Sequence, residues 1–203
     1  MALSTYGELK AAIRDWQQDA TILNNVAADL VTLSQGYLNR FLRTREMITQ
    51  EDITPTAGLF ALPSDFLQVR HIAELGSARI PLKYIGLEGA DRLFPDRESG
   101  TGIFYTFIGS NIRVFPTTTN DIELTYYAKL AAFDDDGDTD WLLAKMPNLY
   151  LAAGQAMAAE YLKDDAEFTK QASIVDMYCK MLNAEDDGAE MGDASYTPEG
   201  FVV

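Results

Sequence analysis

The hydrophobic period of this chain changes twice, and no single motif restricts its fold as much. From Ser4 to Phe41 apolar residues recur every three or four positions; from Thr54 to Leu130 they alternate or fall in short runs broken by Pro and Gly; from Thr139 to Leu182 the helical spacing returns. A stripe at one period cannot serve the other kind of element, so two helical blocks must flank a β block. Amphipathic helices have to bury one face, and the two helical blocks can do that against each other. The expected architecture is α+β: a four-helix bundle with an inserted small antiparallel β domain and an acidic C-terminal tail. Its expected divisions are helices 1 and 2 over 1–50, the β domain over 54–133, helices 3 and 4 over 139–185, and a flexible tail over 186–203.

Ser4 to Gln18 reads as the first helix, with Thr5 and Glu8 at capping-box spacing and Leu9, Ile13 and Trp16 on one face. Asn25 is placed to cap a second helix whose stripe is Val26, Leu30, Leu33, Tyr37 and Phe41, and Arg40, Arg43 and Arg45 suit the negative end of its dipole. The β runs are "GLFALP", "FLQVRHIAEL", "ARIPLKYI", "GIFYTFIG", "NIRVFP" and "DIELTYYAKL", read as one small antiparallel sheet. "IGSNI" marks a tight turn and "GLEGADRLFP" a short helix. The third helix carries Leu142, Leu149, Ala153, Met157 and Tyr161 on one flank, and Pro147 predicts a kink or restart. A last helix with the stripe Phe168, Ala172, Val175, Cys179 and Leu182 follows "KDD".

The stretch "AFDDDGDTDW", Ala132 to Trp141, invites a reading as a calcium loop. An EF-hand loop needs oxygen ligands at its odd early positions, glycine at 6 and glutamate at 12. With Gly137 at position 6, Ala132 and Leu143 fall at the first and last ligand positions, and neither can ligate. The glycine-aspartate repeat of calcium-binding β-rolls is missing too, so a solvated turn before a helix is the expectation and no metal site is assigned. The lone histidine, His71, has no second histidine or cysteine pair with which to hold zinc. Cys179 lies on an apolar stripe, as a core thiol does. Neither a Gly-x-Ser-x-Gly elbow nor a phosphate loop occurs, and "SGTGIF" lacks the third glycine of a dinucleotide fingerprint. The expectation is a protein with no enzymatic activity and no cofactor.

Of the net charge of −15, most lies from Asp134 onward, where sixteen carboxylates face four bases. Such a field repels polyanions, because affinity for nucleic acid comes from Lys and Arg displacing counterions. No apolar signal core and no membrane-length apolar run is visible, and the one cysteine excludes an internal disulfide framework and fits a reducing compartment. The tail "AEDDGAEMGDASYTPEGFVV" is acidic and aperiodic, and Tyr196, Phe201 and Val202 are the apolar anchors by which it would dock on a partner.

In order, "STYGELKAAIRDW", "LNRFLRTREM", "LPSDFLQVR" with "PLKYI", and "IRVFPTTTNDIELTYYAKLAAFDDDGDTDWLLAKMPNLYLAAGQAMAAEYLKDD" resemble the head-to-tail adaptor proteins of tailed bacteriophages, over about residues 4 to 185. The resemblance implies a structural virion protein, assembled in the host cytoplasm: a ring, usually of twelve copies, beneath the portal protein. Such a ring extends the DNA channel and offers a platform to a downstream tail or nozzle protein, while genomic DNA passes without specific binding and no membrane is involved. It also makes the acidic stretch the turn before the third helix, with Thr139 as its cap and Asp140 in its first turn. Two alternatives stand beside it: another tail or neck component, such as a nozzle or tube protein, and a calcium-binding or carboxylate-based binding protein or enzyme.

Overall fold

The structure, a computed structural model, describes residues 3–17 and 23–193. In chain order the described elements are α1 (Tyr6–Trp16), α2 (Ala27–Phe41), a 3-10 turn (Arg45–Met47), β1 (Ile48–Ile53), β2 (Leu59–Ala61), β3 (Phe66–Leu75), β4 (Arg79–Pro81), β5 (Lys83–Tyr84), α3 (Leu87–Leu93), β6 (Phe104–Ile108), β7 (Asn111–Phe115), β8 (Asp121–Ala128), α4 (Trp141–Lys145), α5 (Pro147–Leu162) and α6 (Asp165–Asp193). They form two compact units, one of Met1–Glu46 with Leu130–Val203 and one of Met47–Lys129.

The helical unit is built on α5. Every residue from Leu149 to Ala159 is buried, because "LYLAAGQAMAA" has no charged side chain and therefore no face to give to water. The expected one-sided stripe is thus buried all round, except that Tyr161 at its end is exposed. Its alanines and Gly154 let α1, α2 and α6 each pack directly on it. Burying a side chain such as Leu149 stabilises by roughly 1.5–3 kcal/mol. Pro147 occupies the first turn of α5 and restarts the helix after α4, at a position where no intrahelical N–H is needed. Lys163, left-handed at φ 60°, ends α5, and the Asp164 carboxylate accepts the Glu167 N–H at 3.1 Å to open α6.

Three expectations about helix ends and faces need correction. Asn25 does not cap α2: the N-cap is Val26, with no side-chain bond. Trp16, expected on the buried face of α1, is 67% exposed, while Leu9 and Ile13 are buried as expected. The tail expected from Asp186 begins instead as helix, since α6 runs to Asp193. Buried Asp186 accepts the Arg45 backbone N–H at 2.9 Å and lies 3.7 Å from its guanidinium Nε, a tertiary anchor that carries the helix past its apolar pattern.

The β unit holds two four-stranded sheets rather than one, in the orders β1-β8-β3-β4 and β2-β7-β6-β5. Pairing is antiparallel except between β5 and β6, which run parallel. Phe60, Ile72, Ile112, Val114, Leu124 and Tyr126 share one core, fed by both sheets. The alternation read in β8 is the buried face: Ile122, Leu124, Tyr126 and Ala128 all point to the core. β6 and β7 join through Gly109-Ser110, where Gly109 takes φ 61°, as the tight turn requires. β1, "ITQEDI", half inside the division expected to hold helices 1 and 2 and wholly before the expected β domain, pairs with β8 along its whole length.

Candidate functional site

The aspartate run folds into a cap for a distant helix. The Asp138 carboxylate accepts the N–H groups of Asp134 and Asp135 at 2.8 and 2.9 Å, closing the loop on itself. Those two N–H groups, Asp135 first, hold its carboxyl below the usual range. The loop's carbonyls then turn outward: Asp138 O accepts from Tyr6 N at 2.8 Å and Asp136 O from Gly7 N at 2.9 Å. Two of the orphan donors that begin α1 are satisfied this way, at the end of the helix where negative charge is favoured. Lys10 lies 2.5 Å from Asp136 Oδ1, and the Tyr6 ring stacks on Phe133 at 5.2 Å. Thr5 caps α1 as expected, accepting from Glu8 N, but the Glu8 carboxylate accepts from Ser4 N at 2.8 Å, one residue before the capping-box position.

Asp140, not Thr139, is the N-cap of α4: its Oδ1 accepts from Leu143 N at 2.7 Å. Its Oδ2 accepts from the buried Tyr150 hydroxyl at 2.6 Å, and Gln35 Nε2 donates to that hydroxyl at 3.3 Å and to Ala131 O at 2.8 Å. Burial raises the Asp140 carboxyl above its usual range. No group of three or more His, Cys, Asp or Glu side chains is arranged to hold a metal ion among the described residues.

Two faces of the helical unit are built differently from this loop. The side of α2 that packs inward is Ala27, Leu30, Val31, Ser34, Gln35 and Leu38; of the stripe Val26, Leu30, Leu33, Tyr37 and Phe41 read from the sequence, only Leu30 is fully buried. At roughly 100° per residue the rest of the stripe lies about a quarter-turn away, which leaves Val26 and Tyr37 half-buried, Leu33 57% and Phe41 44% exposed. Arg43, beyond the helix, donates to the carbonyls of Asn39 and Leu42, the end-capping role expected of it.

On another side α1, α5 and α6 enclose a groove of about 280 Å³. Trp16, Leu151, Ala152, Ile174 and Tyr178 give it an apolar wall, with Lys170 among its polar lining. Gln155, 4% exposed, also lines it: Oε1 accepts from Gln171 Nε2 at 3.1 Å, and Nε2 has no partner among the described residues. Large exposed apolar residues in such numbers mark surfaces that other proteins cover.

The remaining candidates are structural. Cys179 is buried, and that burial pushes its thiol up to about 12. His71 sits half-buried in β3 opposite Thr125. Buried Glu74, which sequence patterning did not single out, accepts from Gly102 N, Thr118 Oγ1 and Asn120 Nδ2. Glu123 does the same for Gln50 and Arg79. Tyr196, Phe201 and Val202 lie outside the described residues. No helix among the described residues is long and apolar enough to cross a membrane.

The chain belongs to the SU10 adaptor protein family, whose model it matches over residues 4–197. This is a family of phage head-to-tail adaptors, structural proteins of the virion. A search of the curated proteins gave no match.

Proposed function

We propose that this protein forms a closed ring, of twelve copies, beneath the portal, extending the DNA channel and presenting a platform to the tail. Membership of the adaptor family across nearly the whole chain is the observation that carries this reading. In such a ring α1, α2, α5 and α6 act as a four-helix bundle, with the β unit as a separate lobe. A ring of more than two copies needs two different faces on each subunit, since one self-complementary patch closes only a dimer. The outcome expected from negative-stain images of the protein mixed with purified portal is a ring on the portal; free subunits or isologous dimers at every concentration defeat the reading.

The acidic last third serves as a non-stick surface. Carboxylates facing the passing duplex prevent the phosphate contacts that would trap it. Lysine substituted at several channel-facing acids slows DNA ejection more at low salt than at high salt, and unchanged ejection at low salt refutes the role. Tyr196, Phe201 and Val202 act as a docking arm on the portal or a neighbouring subunit, where several weak arms on one ring give a durable joint. Deleting 194–203 tests it: subunits keep normal helical circular dichroism but are lost from portal-bearing heads, and retention at the wild-type level rejects the arm.

A further inference from the structure

We infer that the exposed ridge of α2 on one copy seats in the α1–α5–α6 groove of the next copy, forming a heterologous seam between helical units. Seating of this kind rests on the ring reading above for its setting and adds which faces would close it, but the contact itself can be tested apart from the ring.

The ridge is a single row at spacing four, Asp29-Leu33-Tyr37-Phe41, the row by which helices commonly pack into grooves. Tyr37 and Phe41 hold each other at 5.1 Å between ring centroids, so the row projects as one body. Inside the subunit Tyr37 is half-buried beside Cys179 and Asp176 of α6, while Leu33 and Phe41 stay exposed, because the inward face of α2 lies about a quarter-turn away.

The two faces point in different directions, as a heterologous contact requires. Asn183 of α6 faces the end of α2, donating to Phe41 O at 2.8 Å and accepting from Arg43 N at 3.0 Å. Ile174 of α6 lines the groove and lies nine residues earlier, which is roughly half a turn around the helix. One subunit therefore carries ridge and groove on opposite flanks of α6, and cannot fill its own groove with its own ridge.

The occupant is a second copy because the two surfaces complement each other in two respects. Both are apolar in their middles, which suits self-association of a chain with a charge of −15, since contact through its acidic surfaces would be repulsive. The ridge begins at an acid, exposed Asp29, and the groove carries a base, exposed Lys170, which can exchange its surface pair with Glu167 at 3.2 Å for Asp29, so opposite charges set the register.

Cysteine cross-linking tests the seam on the full chain, because the buried native Cys179 is shielded from it. Leu33→Cys and Ile174→Cys subunits, each with unchanged circular dichroism and reduced, are treated with a mild oxidant (copper phenanthroline) alone and after mixing. A disulfide-linked dimer forms in the mixture and not in either variant alone. Absence of the mixed dimer, or an equal yield from Leu33→Cys alone, overturns the seam. Asp29→Lys or Lys170→Glu each lowers the cross-linking yield, on the order of two- to fivefold, and the double variant restores it; failure of the double variant to restore it rejects the register. Imaging the same samples with portal separates the two proposals. Rings without the mixed dimer overturn the seam alone, whereas the mixed dimer without rings sustains the seam and defeats the ring.

Discussion

Replacing Asp140 by alanine removes two hydrogen bonds at once, and their sum is not what the replacement costs. Loss of the N-cap bond to Leu143 N costs about 1 kcal/mol. Loss of the acceptor for the Tyr150 hydroxyl leaves a fully buried donor unmatched, about 2 kcal/mol more. Asp140→Ala is therefore expected to destabilise the helical unit by about 3 kcal/mol. Tyr150→Phe keeps the ring, which contacts Phe133 at 5.8 Å between centroids, and Gln35 retains its bond to Ala131 O. Only the bond to a carboxylate is lost, about 1.5 kcal/mol. In the double variant there is no hydroxyl left to strand, so only the cap and the lost bond remain and the cost is about 2.5 kcal/mol and not near 4.5, a coupling of about 2 kcal/mol. Equilibrium urea unfolding of the four proteins, followed by circular dichroism, measures it. Additivity within about 0.5 kcal/mol would show that Tyr150 and Asp140 are neighbours without being partners, and would refute the reasoning.

The same carboxyl gives a pH dependence. Burial raises it in the fold, so its contribution is favourable at acid pH and is lost as pH rises through the folded value; Asp140→Asn, which keeps a capping oxygen, should gain on the wild type as pH rises from the ordinary carboxylate range to neutrality, and a constant difference would contradict this. Cys179 should not react with a thiol reagent at pH 8 until denaturant is added, since burial pushes its thiol up to about 12; rapid labelling of the native protein would show it exposed. Gly154→Ala should destabilise by roughly 1–3 kcal/mol despite the better helix propensity of alanine, because its Cβ would overlap buried Ile13, and Ile13→Val should recover part of that loss in the double variant's thermal midpoint. Asp186→Ala should release the end of α6 from Arg45, seen as faster proteolysis near residue 186 with the melting of the rest little changed.

The elements most legible in the sequence are those fixed by neighbours along the chain. Pro147 restarting a helix, Gly109 turning a hairpin and the alternation of β8 each depend on a few adjacent residues, and each is present. What the sequence concealed depends on distant partners. β1 is half polar and becomes a strand because β8, far along the chain, supplies its ladder. The outward part of α6 has no stripe and is held through Asp186 by Arg45. In α2 the apolar arc is wide enough for two faces, and periodicity alone found one of which the subunit buries Leu30 but leaves Leu33 and Phe41 exposed. The aspartate run was legible as a turn and a cap, but the helix whose first donors its carbonyls meet, α1, lies at the other end of the chain.

The division of the helical unit into two chain segments has a consequence for the order of synthesis. α1 and α2 leave the ribosome before the whole of Met47–Lys129, and α5, on which both pack, comes after it. At roughly 5–20 residues per second, the first two helices wait on the order of ten seconds for the surface that completes them. The groove is made of Trp16 from the early segment and Leu151 to Tyr178 from the late one, so it does not exist on an unfinished chain. Under the seam proposed above, a nascent or truncated subunit would lack the groove and could receive no neighbour, so completing the polypeptide would itself license it to join.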